Sequence, residues 1–98
     1  MSQDALQKTR LILLSHSKNM LNAAQSQDWE AFLPLESVWQ EKLEQAVEQW
    51  GQQLNEIIPS LLEDNRQIQQ AIKSYQQDLA GDLKQSRYVH KALKEYLA

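Results

Sequence analysis

WEAFLPLESVWQEKLEQAVEQW, running from Trp29 to Trp50, decides the fold class. Its large and apolar residues stand three and four apart: Trp29, Phe32, Glu36, Trp39, Leu43, Ala46 and Trp50. Side chains at that spacing share one face of an α-helix, and the alternating steps make a heptad seam. All three tryptophans of the 98-residue chain lie on it. So many indoles are hard to bury in a thin bundle, so at least one is expected to be half exposed.

Outward from this stretch the same periodicity continues. Upstream, Leu6, Leu13 and Met20 recur every seven residues, with Leu14 and Leu21 beside the last two, which predicts a first helix over about 4–24. The polar run Gln25-Ser26-Gln27-Asp28 ends it, and Asp28 is placed to cap the second helix. So short a connection makes the two helices antiparallel neighbours. The second helix is expected over about 29–56, with a kink or restart at Pro34 and a possible early end at Gly51. Pro59 marks the next turn, and Ser60-Leu61-Leu62-Glu63 has capping-box spacing. Beyond it Leu61, Asn65, Ile68, Ile72, Tyr75, Leu79, Leu83, Ser86, His90, Leu93 and Leu97 fall on one face, predicting a third helix over about 60–97. That helix outruns the second and leaves Val89, Leu93, Tyr96 and Leu97 on an overhang that a dimer partner or a client could cover. The expectation is an all-α antiparallel bundle of three long helices in a single domain spanning 1–98.

Composition narrows the chemistry. There are no cysteines, only two glycines and two prolines, and a net charge of −3. Disulfides, thiolate chemistry and glycine-rich phosphate loops are excluded, and nucleic acid is a poor fit as main partner. The longest apolar run, Leu11-Ile12-Leu13-Leu14, is too short for a membrane span. Charge is unevenly spread: the stretch from Asp28 to Glu56 balances at −6 and that from Leu83 onward at +3. Solvated helix faces account for both. His16 and His90 lack a second ligand one helical turn away, so neither forms a metal pair. No catalytic, cofactor-binding or metal residue is nominated, and the chain reads as a non-enzymatic interaction module. Glu36 and Asn65, polar on apolar seams, lie either at the edge of the seam or buried against a partner.

The pattern resembles the small flagellar export chaperones of the FliT family. The resemblance is carried by Leu13-Leu14-Ser15, Met20-Leu21-Asn22-Ala23-Ala24, Asp28-Trp29-Glu30-Ala31-Phe32 and Leu35-Glu36. It continues through Ile57-Ile58, Leu61-Leu62-Glu63-Asp64-Asn65, Ile68 and the closing Lys91-Ala92-Leu93-Lys94-Glu95-Tyr96. It implies a cytoplasmic chaperone that binds the C-terminal region of the filament-cap protein, prevents its early assembly and delivers it to the type III export apparatus, the export ATPase complex included. Family members often fold a fourth helix over the client groove. The sequence stops at Ala98, just past the tyrosine, so that element is expected to be absent here, which puts autoinhibition and a transcriptional role in doubt and leaves client binding in place.

Client binding on this reading is helix-in-groove recognition. Leu43, Val47 and Trp50 would form one wall of a shallow trough, and Ile68, Ile72, Tyr75 and Leu79 the other; ordinary bundle core accounts for the same residues singly. Trp29 and Phe32 pin the first turn, Trp39 is ambiguous, and Trp50 faces the trough. Two alternatives stay open: a homodimeric helical adaptor joined through the overhang, and a chaperone of another secretion system.

Overall fold

Four helices build the chain: α1 (Ser2–Gln25), α2 (Trp29–Trp50), α3 (Ile58–Asp78) and α4 (Arg87–Leu97). The structure is a computed structural model. It describes residues 2–78 and 87–97, and the side chains of these except 2, 3, 78, 87, 88 and 90. No strand occurs among the described residues.

The first turn does two jobs with few atoms. Asp28 N–H reaches back to the Ala23 carbonyl at 2.8 Å and Gln27 N–H to Ala24 at 3.1 Å, the paired bonds that close a helix through a left-handed residue. Gln27 supplies that conformation at φ 57°, unusual for a residue with a Cβ. Asp28 then caps α2, its carboxylate accepting from Ala31 N–H at 3.2 Å, as its position in the sequence suggests. α2 runs through Pro34 without a break in the helix. Ser37 starts no new helix there; its hydroxyl donates to the Pro34 carbonyl at 2.9 Å.

α2 stops at Trp50, six residues short of the expected 56. Gly51 takes φ 53°, outside the helical region, and a short 3-10 turn (Gly51–Leu54) follows. α3 is already under way at Ile58, with Pro59 in its first turn where the missing N–H is harmless. The Ser60 capping box does not form, since Glu63 gives its carboxylate to the Arg66 guanidinium at 2.7 Å.

α1 is the shared spine, packing along both α2 and α3. Arg10 donates to the Gln53 carbonyl at 2.6 Å and Ser17 to Asp64 at 2.7 Å, so α1 and α3 run in the same direction and α2 runs against both. The core divides into two clusters along the bundle. One gathers Leu6, Leu13, Ala46, Leu54, Ile57 and Leu61 at the start of α1; the other gathers Met20, Leu21, Ala24, Trp29, Phe32, Ile68, Ile72 and Tyr75 at its end.

The expectation of one third helix over 60–97, with no fourth, is corrected. Tyr96 hydrogen-bonds Asn65, 31 residues earlier, whereas a straight helix would hold them about 46 Å apart. α4 therefore runs antiparallel to α3; residues 79–86 lie outside the described residues. Among the described residues the expected overhang is absent: Leu93 is fully buried, and Val89, Tyr96 and Leu97 pack against the second cluster. Periodicity misled because the spacing of apolar residues continues in phase across the reversal.

Candidate functional groove

α4 lies against α2 and α3, touching Phe32 of the one and Asn65 of the other. Leu93 is buried in the same cluster as Met20, Phe32, Ile68 and Ile72, while the Tyr96 ring meets Phe32 edge-on with centroids 5.6 Å apart. The Tyr96 hydroxyl donates to Asn65 Oδ1. Together these fasten α4 to both walls.

Between α4 and α2 a cleft of about 420 Å³ remains, lined by Leu33, Glu36, Ser37, Lys91, Ala92, Glu95 and Tyr96. Burial, and then the charge of Glu95, push the Glu36 carboxyl above its ordinary range. Burial, helped by Glu36, pushes the Tyr96 phenol up to about 12. Glu36 is thus neither at a fully wetted edge nor deep in the core; it stands half-buried at the rim of α4.

α4 covers only part of the groove. Its 11 residues span about 16 Å against about 33 Å for the 22 residues of α2. Leu43 and Val47 lie at helical spacing beyond Glu36 on α2, and Leu62 lies one turn before Asn65 on α3. Val47 is 48% exposed and Leu62 64%, large apolar residues of α2 and α3 that α4 does not bury. Leu62 is not among the expected trough residues because it sits beside the single 3.6-residue stripe used to trace α3.

The remaining trough residues are placed as follows. Ile68, Ile72 and Tyr75 are buried in the second cluster, beneath α4. Leu43 and Trp50 are half-buried against the first cluster, so the two expected walls belong to opposite ends of the bundle. Leu79 lies outside the described residues. None of the tryptophans is exposed: Trp29 is buried against Tyr75, ring centroids 4.8 Å apart, and Trp39 stacks on His16 at 5.1 Å. His16 is a bridging residue, its Nε2 2.8 Å from the Leu35 carbonyl and its Nδ1 3.4 Å from Lys42 Nζ. Those partners assign the proton to Nε2 and leave Nδ1 to accept from the ammonium.

The family model described as "Flagellar protein FliT" matches residues 11–98. The chain belongs to the FliT family. FliT proteins are flagellar export chaperones that bind flagellar proteins, and the match takes in α4 together with the groove it occupies. No curated protein and no solved structure gives a match. Among the described residues no group of three or more His, Asp or Glu side chains is placed to hold a metal ion, and no helix is long and apolar enough to cross a membrane. What this FliT chain presents instead is an apolar surface on α2 and α3 against which its own last helix packs.

Proposed function

We propose that the chain is a cytoplasmic export chaperone that binds the C-terminal region of the flagellar filament-cap protein, keeps it from assembling early and escorts it to the type III export apparatus, where the export ATPase complex is a second partner. The observation that supports this most is the seat of α4. A short amphipathic helix already lies in the groove between α2 and α3, which marks the groove as a receptor for a helix. A client helix lands first on the uncovered half, at Leu43, Val47, Trp50 and Leu62. It then displaces α4 and takes over the apolar surface beneath, to which Ile68, Ile72 and Tyr75 contribute. The overhang that motivated a homodimeric adaptor does not exist, since α4 covers its own apolar face.

Titration of the full chain with a synthetic C-terminal segment of the cap protein tests the reading. Leu93→Asp, which unseats α4, is expected to raise affinity about tenfold with the circular dichroism of α1 to α3 retained. A segment that binds neither form removes the cap protein as client.

A further inference from the structure

Resting on that reading, the cleft between α2 and α4 shows a mismatch of charge that specifies the occupant more closely. Glu36 from α2 and Glu95 from α4 line the same cleft, with Leu33 and Tyr96 as its apolar sides. Glu36 is half-buried there, and both burial and Glu95 work against its charge. Lys91 shares the cleft, but the ion pairs among the described residues lie elsewhere, at Arg10–Glu56, Lys18–Asp64 and Arg66–Glu63. α4 is therefore seated by Leu93 and Tyr96 and opposed at its rim by a like charge. When α4 leaves, Glu95 leaves with it and Glu36 stays.

We propose that Glu36 selects the charge of the helix that occupies this groove, disfavouring Glu95 of α4 and favouring a client helix with a lysine or arginine at the corresponding position. Exchange of one helix for the other turns a repulsive contact into an ion pair at a partly desolvated carboxylate, where charge is felt more strongly than in bulk water. The occupant so defined is an amphipathic helix, apolar where α4 places Leu93 and Tyr96 and basic where it places Glu95. The acidic side chain on α4 keeps the groove's own helix from competing too well with the client. It also makes the seat of α4 sensitive to pH. The titratable groups facing Glu36 are Lys91, Glu95 and Tyr96; burial first and the Glu95 carboxylate second oppose its ionisation in the docked state, so docking strengthens as pH falls and Glu36 takes up a proton.

Two measurements on the full chain test this separately from the client reading. The first is hydrogen exchange of the α4 amides at low ionic strength. Glu95→Lys is expected to raise their protection at least fivefold, and in a Glu36→Gln background the gain falls below twofold; equal protection in the parent chain and Glu95→Lys overturns the proposal whatever the client does. The second uses the double variant Glu36→Lys with Glu95→Lys, which restores a like-charge contact and leaves α4 protection within about twofold of the parent. Its affinity for the synthetic cap-protein segment is expected to fall at least fivefold. Unchanged affinity overturns charge selection while leaving the client reading intact. A segment that binds no form of the chain removes the client reading, and the exchange result then decides the role of Glu36.

Discussion

Tyr96 donates its hydroxyl to Asn65 across the groove that separates the end of α4 from the early turns of α3. The same ring packs edge-on against Phe32 of α2, so one residue holds α4 to both of its neighbours. Tyr96→Phe keeps the ring and deletes the hydrogen bond, a loss of about 1 kcal/mol. Protection of the α4 amides is expected to drop roughly fivefold while that of α1 stays unchanged. Tyr96→Ala removes the ring as well and is expected to leave α4 unprotected. If Tyr96→Phe exchanges like the parent chain, the bond to Asn65 adds nothing to docking.

The same phenol sets an alkaline limit. In docked α4 it is pushed up to about 12 from an ordinary 10.0, by burial first and by Glu36 second. A raised value means that the docked state holds the proton more firmly than the free one. The contribution of Tyr96 to docking is therefore complete below pH 10 and is lost as pH rises through about 12. Phenolate absorbance compared between the parent and Tyr96→Phe isolates this group from the other two tyrosines. A Tyr96 that titrates at the ordinary value would mean that α4 is not seated as described.

The helical class, the first turn and the Asp28 cap were legible in the sequence because each depends on residues within one or two turns of each other. The seam from Trp29 to Trp50 is a local pattern, and α2 follows it from end to end. The reversal before α4 was not legible, since the apolar period of 3.6 resumes in phase at Leu93 and Leu97 and a stripe carries no sign of direction. The cover over the groove residues was hidden for a related reason. Spacing says that Ile68 and Ile72 share a face with Asn65, but not that α4 will cover them. Glu36 and Asn65 stood out as polar residues on apolar seams, and both line or hold the seat of α4. Asp64 did not stand out beyond the family resemblance, because its partners Ser17 and Lys18 are more than forty residues away.

That carboxylate is fully buried on α3, accepting from Ser17 at 2.7 Å and from Lys18 Nζ at 2.6 Å. The Lys18 side chain is 56% exposed, so its loss looks harmless, yet it supplies the charge that offsets Asp64. Lys18→Met leaves the carboxylate with Ser17 alone and is expected to cost about 2 kcal/mol, held below the figure for a fully buried pair because the ammonium is largely in water. Asp64→Asn keeps the shape and the bond from Ser17 and should cost about 1 kcal/mol. The double variant is expected to be no less stable than Asp64→Asn, since a neutral amide needs no counter-charge. Urea unfolding of the four forms measures the coupling, and strict additivity would show that Lys18 acts through something other than Asp64.

Val47 and Leu62 invite the opposite pair of outcomes, large for binding and small for folding. Both are exposed leucine- or valine-sized groups that α4 does not bury, and neither belongs to a buried cluster. Exchanging an exposed side chain away from caps and packed contacts usually shifts stability by no more than about 0.5 kcal/mol. Val47→Asp and Leu62→Asp should therefore unfold in urea at nearly the parental midpoint. If the uncovered half of the groove is where a client helix lands, each substitution places a charge under an apolar contact, and affinity for the cap-protein segment should fall about tenfold or more. The acidic character of α2 sharpens the expectation for Val47, where a new aspartate would stand between Glu44 and Glu48; Val47→Ala at the same site should cost severalfold less. The Leu93→Asp chain provides the control, because its released groove no longer depends on the foothold for entry. There, Val47→Asp should slow association less than in the parent, while the loss of affinity, which depends only on the end states, stays the same. Equal slowing in both backgrounds would mean that Val47 gives no foothold before α4 leaves.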